Sequence, residues 1–205
     1  MTQISITRAL AEVKQLNDRI ERGTRSTVFI TTTVGGKMQS GQDKDTVTGV
    51  LAGNLQSVQA LIARRKVLKS AVVRSNAITE VVINSSKMTV AEAIERKASI
   101  QLEKNLLTTL RQQLAQVQGH IERGNVQMQA RLDSMILTAV GKDRKATEDE
   151  IDAISKPFVA SNKTEALDPS NLPEVVRKLE ADIEGFELEV DFALSESNAR
   201  TTVAI

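Results

Sequence analysis

The chain has 205 residues, enough for one domain or two small ones, with a net charge of +1 that sets up no global field toward nucleic acid or an acidic membrane. It has no cysteine, which excludes a disulfide scaffold, thiol catalysis and thiolate metal ligation. Four Phe are its only aromatic residues, which weighs against sites that stack bases or sugars on aromatic faces.

The first element is a helix. Ile6, Ala9, Val13, Leu16 and Ile20 step by three and four along one stripe, and Gly23 reads as its stop. The segment before it, MTQISITRALAEVKQ, shows no basic stretch leading into an apolar one, so no secretory signal is read. The β-branched run STVFITTTV predicts a strand, and GGKMQSGQDKD a polar loop. A second helix is expected from about Thr46 to Ser75, with Leu51, Leu55, Val58, Ile62, Leu68 and Val72 as its apolar face. It is expected to end in an Asn76 turn, with ITEVVI following as a strand.

Thr89 with Glu92 forms a capping box that opens a third helix, whose periodicity continues to about Val140. Leu107, Leu110, Leu114, Val117 and Ile121 keep heptad spacing, with Met128 and Met135 in phase; Gly119 and Gly124 are candidate bends or breaks. Thr147 caps a short helix predicted from Glu148 to Ser155, and the proline-bearing stretch after it reads as irregular. The last helix has the most regular pattern. Leu172, Val176, Leu179, Ile183, Phe186, Val190, Ala193 and Ser197 alternate steps of four and three, and TTVAI reads as a final strand.

Two segments nearly match. RSNAITEVVI at 74–83 and ESNARTTVAI at 196–205 share Ser, Asn, Ala, Thr, Val and Ile at equivalent places. Each reads as a helix end, an Asn turn and a short strand, with RGTRSTVFI as a diverged third version. The expectation is a single small sheet at one end of a helical bundle, holding both strands. The fold class is therefore mainly α (α+β), with long, coiled-coil-like helices. Residues 1–140 are expected to form the bundle with two short strands. Residues 141–171 would be an irregular linker with a short helix, and 172–205 a heptad helix and strand packing on the same domain.

No catalytic, cofactor or metal-binding pattern stands out. His120 is the only histidine and lies beside a helical apolar stripe; VGGKMQSG lacks the spacing of a phosphate-binding loop. The most apolar stretch, around SMILTAV, is far shorter than the roughly 20 residues of a membrane span. Charge is segregated instead. Arg64, Arg65, Lys66, Lys69 and Arg74 lie in an acid-free run between Asp45 and Glu80, while the last helix has no base between Lys178 and Arg200. The pattern favours basic and acidic helices lying side by side, within a chain or between copies, over a nucleic-acid face.

The run from Val58 to Gln101 resembles a septicolysin-like family of small bacterial and phage proteins. The match rests on Asn76 and Thr79 at the turn and on Thr89, Glu92 and Ala93 at the next helix start, with Asn198 and Thr201 repeating the closing pattern. It covers about half the chain, and its motifs are structural. The Thr-rich TVFITTTVGG is similar to tailed-phage members, and the acidic N-terminal half of cellular members is missing. The family name implies pore formation, for which no membrane-inserting hairpin is evident.

The expectation is a non-enzymatic structural protein of a tailed-phage particle (decoration, collar, neck or tail), located in the virion, without cofactors. Its partners would be copies of itself and other virion proteins. The alternative is a cytoplasmic bacterial adaptor or nucleic-acid-associated protein. Leu172, Val176, Leu179, Ile183, Phe186 and Val190 are the expected self-association seam, which the third helix of the same chain could equally fill, and Thr201, Val203 and Ile205 an open strand edge whose removal would weaken assembly but spare the helices.

Overall fold

A computed structural model describes residues 3–38, 41–141 and 147–205. It is mainly helical, with five helices making up 77% of those residues and two small antiparallel ribbons. In chain order these are β1 (Gln3–Ser5), α1 (Ile6–Ser26), α2 (Lys44–Ile78), β2 (Glu80–Ile83), β3 (Ser86–Thr89), α3 (Val90–Val140), α4 (Glu148–Asn162), α5 (Leu172–Arg200) and β4 (Thr202–Ala204). They divide between two compact units, Met1–Ala98 with Gly185–Ile205, and Ser99–Glu184; α3 and α5 contribute residues to both.

In the first unit the apolar stripe of α1 buries Ile6, Ala9, Val13 and Leu16 against Leu68, Ala71 and Val72 of α2, with Ile4 and Val203 completing the cluster. Gly23 does not stop α1, which runs to Ser26. Its role is close approach: a Cβ there would lie 3.1 Å from Val58 Cγ2. The expected strand STVFITTTV does not form. Thr27–Thr33 have no regular structure, and only an isolated bridge joins Val34 to Lys37 across Gly35 and Gly36, both at positive φ. Val28 and Ile30 are exposed, so the β-branched side chains have no sheet face to pack on. The Asn54 amide holds this segment by donating to the Val28 carbonyl at 3.0 Å. Of the loop that follows, Gln39 and Ser40 lie outside the described residues.

The matching segments lie in different ribbons, not in one sheet. β2 pairs with β3, Glu80 opposite Thr89, while β4 pairs with β1, Ser5 opposite Thr202. Asn76 and Asn198 are helical, so neither makes the expected turn; each helix continues to the residue before the Thr. Their roles are nonetheless equivalent. Thr79 N–H donates to the Ser75 carbonyl and Thr201 N–H to the Ser197 carbonyl, both at 2.9 Å. The Thr79 carbonyl then accepts from Val90 N–H at 2.8 Å, and the Thr201 carbonyl from Ile6 N–H at 2.9 Å. Each copy thus ends one helix and satisfies an orphan donor at the start of another. The side chains flanking those starts match as well. Ser5 Oγ accepts from Arg8 N–H at 3.3 Å, and Thr89 Oγ1 from Glu92 N–H at 3.2 Å. Ala9 and Ala93, three residues into the two helices, are both fully buried.

β2 and β3 form a hairpin whose second strand the periodic reading missed. Its turn is Asn84-Ser85, both at positive φ (47° and 61°), the geometry that matches strand twist. The Thr89–Glu92 box is complete, with Thr89 N–H donating to Glu92 Oε2 at 2.6 Å. That bond is the main reason the Glu92 carboxyl sits below its usual pKa.

In the second unit α3 is unbroken through Gly119 and Gly124. Asn125 clamps the crossing segment beside it. Its Oδ1 accepts from Thr164 N–H at 3.0 Å and its Nδ2 donates to the Thr164 carbonyl at 3.2 Å. α4 starts with the expected Thr147–Glu150 capping box but runs on to Asn162, through Pro157, where an irregular stretch was expected. The charged link before it, residues 142–146, lies outside the described residues. Asp168 accepts from Leu172 N–H at 2.7 Å and thereby starts α5.

Candidate interaction surface

The heptad seam of α5 is filled within the chain. Ile183, Phe186 and Val190 are 3%, 0% and 2% exposed, and Leu172, Val176 and Leu179 are half-buried. In the first unit α3 supplies the cover. Arg96 stacks on the Phe186 ring, 4.5 Å from its centroid, and Lys97 pairs with Asp191. In the second unit Arg111 pairs with Glu180, whose carboxylate, with Glu184 nearby, holds the guanidinium above its usual pKa. Ile183, Phe186 and Val190 of the expected self-association seam are therefore not a free surface, while Leu172, Val176 and Leu179 stay half-exposed. Periodicity identifies the stripe but carries no information about which helix fills it.

Among the described residues β4 pairs with β1 alone and so keeps an open edge, but its apolar side chains are not free. Val203 is buried opposite Ile4, Ile205 is half-buried against the same cluster, and the Thr201 carbonyl caps α1. These residues hold the first unit together. A shallow groove of about 360 Å³ lies beside them, lined by Thr79–Val82 of the first copy, by Ala193, and by Glu196, Ser197, Arg200 and Thr201 of the second.

The basic run of α2 splits by face. Arg64 turns toward α1 and pairs with Glu12 at 2.9 Å, and Arg65 donates to Asn17 Oδ1. Lys66, Lys69 and Arg74 are exposed and pair with no acid among the described residues. Glu180 and Asp191 of α5 pair with α3, Glu189 accepts from Asn84 of the hairpin, and Glu174 and Glu196 pair within α5 itself. Among the described residues no ion pair joins Arg64, Arg65, Lys66, Lys69 or Arg74 to an acid of α5 within the chain.

What the sequence reading missed is how much apolar surface stays outside. Among the described residues the large apolar side chains that are exposed outnumber those that are buried. Several sit in turns of one helix: Leu102 and Leu106 on α3, Leu188 and Phe192 on α5, Leu55, Ile62 and Val73 on α2. The signal was present in the sequence, because each of these helices has more apolar positions than one stripe accommodates. His120 is exposed on α3. The described residues contain no cluster of His, Cys, Asp and Glu able to hold a metal, and no helix among them is long and apolar enough to cross a membrane.

No family model, curated protein or solved structure matches the chain.

Proposed function

We propose that the chain is a non-enzymatic assembly protein that works by associating with copies of itself. The observation that carries this reading is the excess of exposed over buried large apolar side chains, arranged in helical stripes rather than scattered singly. Leu188 and Phe192 are 72% and 77% exposed one turn apart, a placement that costs solubility unless something covers it. The setting we propose is a tailed-phage particle, as a decoration, collar, neck or tail component. The support for that setting is the resemblance of residues 58–101 to the septicolysin-like proteins and the phage-type Thr-rich segment. The reading as a cytoplasmic adaptor or nucleic-acid-associated protein draws on one observation, the unpaired Lys66, Lys69 and Arg74, and the +1 net charge opposes it.

Sedimentation velocity on the whole chain at tens of micromolar tests self-association, with a strictly monomeric species as the refuting result. The genomic neighbourhood tests the setting. Flanking portal, capsid or tail genes support it, and an isolated chromosomal locus overturns it.

A further inference from the structure

We propose that α2 of one copy docks along α5 of a second copy, the lysine-bearing stripe of α2 against the apolar stripe of α5 with Glu184 in line and other acids beside it, in a head-to-tail contact. The inference rests on the self-association reading and specifies the surfaces that carry it.

α2 presents Val58, Leu68, Ala71 and Val72 to the core. A different flank carries Leu55, Ile62, Lys66, Lys69 and Val73, spaced by seven, four, three and four, so they form one line about 27 Å long. Its apolar members are 48%, 48% and 61% exposed, and its two lysines have no acid partner among the described residues. On α5 the buried positions are Ile183, Phe186 and Val190, and the opposite side carries Ala181, Glu184, Leu188, Phe192, Ser195 and Ala199. This second line has the same length, with two bulky apolar residues at its centre and small residues at its ends. Small residues let a facing helix approach, and large ones fill the grooves it offers.

Charge decides which stripe meets which. α5 has no base between Lys178 and Arg200, and α2 has no acid between Asp45 and Glu80. Packing α5 on α5 would bring Glu184 and the acids beside it together, and packing α2 on α2 would oppose Lys66 and Lys69; like charges brought together disfavour an interface. Only the mixed pairing brings opposite charges together around an apolar centre. Because its two sides are different surfaces of one chain, the contact propagates, closing into a ring or continuing as a filament.

The test uses the whole chain with three preparations: wild type, Lys66→Glu/Lys69→Glu, and Leu188→Lys/Phe192→Lys. All four positions are exposed, and circular dichroism checks that the variants keep their helix content. Sedimentation velocity at low salt should show wild-type assemblies that loosen at high salt. Each variant alone should be monomeric, its contact weakened roughly a hundredfold. Mixed in equal amounts, the variants should associate at least as a one-to-one dimer, since each retains the surface the other lacks. Wild-type-like assembly by the lysine variant, or no dimer in the mixture, overturns the docking while leaving self-association standing. A lysine variant that assembles normally and loses only retention on duplex DNA overturns it in favour of a nucleic-acid face. A monomeric wild type overturns both the docking and the reading beneath it.

Discussion

Replacing Gly124 with alanine should destabilise the second unit, although the same change elsewhere on α3 should stabilise it. Intrinsic helix propensity favours alanine over glycine by about 1 kcal/mol inside a helix. At Gly124 a Cβ would fall on Thr164 Oγ1 and lie 3.0 Å from Thr164 Cβ and 3.3 Å from its Cγ2. Rotating the threonine removes the first contact but not the second, because Cβ is fixed to the backbone. That backbone is held on both sides by Asn125, so relief means stretching two hydrogen bonds. Overpacking of this kind costs about 1–3 kcal/mol, and each weakened bond about 1 kcal/mol. Set against the propensity gain, the net expectation is a loss of about 2–4 kcal/mol. Gly119 is the control: a Cβ there meets only the mobile end of Arg123 at 3.4 Å, so Gly119→Ala should gain about 1 kcal/mol. Urea unfolding of the two variants measures the difference, and hydrogen exchange at Thr164 localises it. Equal gains at both positions would refute the close-approach argument. Gly124→Ala with Thr164→Ala should recover only the part of the loss due to Oγ1 and Cγ2, because alanine keeps the Cβ that lies 3.0 Å away.

Removing residues 201–205 should unfold much of the first unit, because it strips Val203 from the core and leaves Ile6 N–H without its acceptor; a truncated chain with wild-type melting would contradict this. The Glu174 carboxyl should titrate at about 2, since Arg177 donates to both its oxygens and Lys178 adds charge nearby. A depressed carboxylate contributes its support above the unfolded-state value and loses it as pH falls toward 2, so the first turn of α5 should loosen only in strong acid. Arg177→Gln should move the NMR-detected midpoint back toward the ordinary carboxylate range, and an unmoved midpoint would exclude the guanidinium as the cause.

Helices were legible in the sequence because apolar spacing records a buried face directly: the α1 stripe Ile6–Leu16 and the capping residues Thr89 and Thr147 stand where they were read. Thr27–Thr33 was misread because β-branched composition describes a strand's needs, not whether a partner strand exists. The β2–β3 hairpin escaped because its turn is Asn-Ser, without the glycine that usually marks one. At Asn76 and Asn198 the left-handed preference of asparagine gave way to a helix that simply continued to the threonine. The α5 seam showed the sharpest limit. A heptad predicts that Phe186 will be covered, and only the fold says that Arg96 of the same chain covers it.

The pairing of Ile4 with Val203 also fixes an order of events during synthesis. The two strands lie about 200 residues apart, so at ordinary translation rates of about 5–20 residues per second β1 waits roughly 10–40 s for its partner to be made. Over that interval α1 and α2 are free to zip together through Leu16, Leu68 and Val72, but the end of α1 bearing Ile4 and Ile6 has no lid. The β2–β3 hairpin, closed by two residues, faces no such delay. One half of a matched pair of ribbons is therefore complete early in the life of the nascent chain. The other is sealed only when about 200 residues have been made after β1, and newly made chains that meet before that moment have an apolar helix end and an unpaired strand available for the wrong partner.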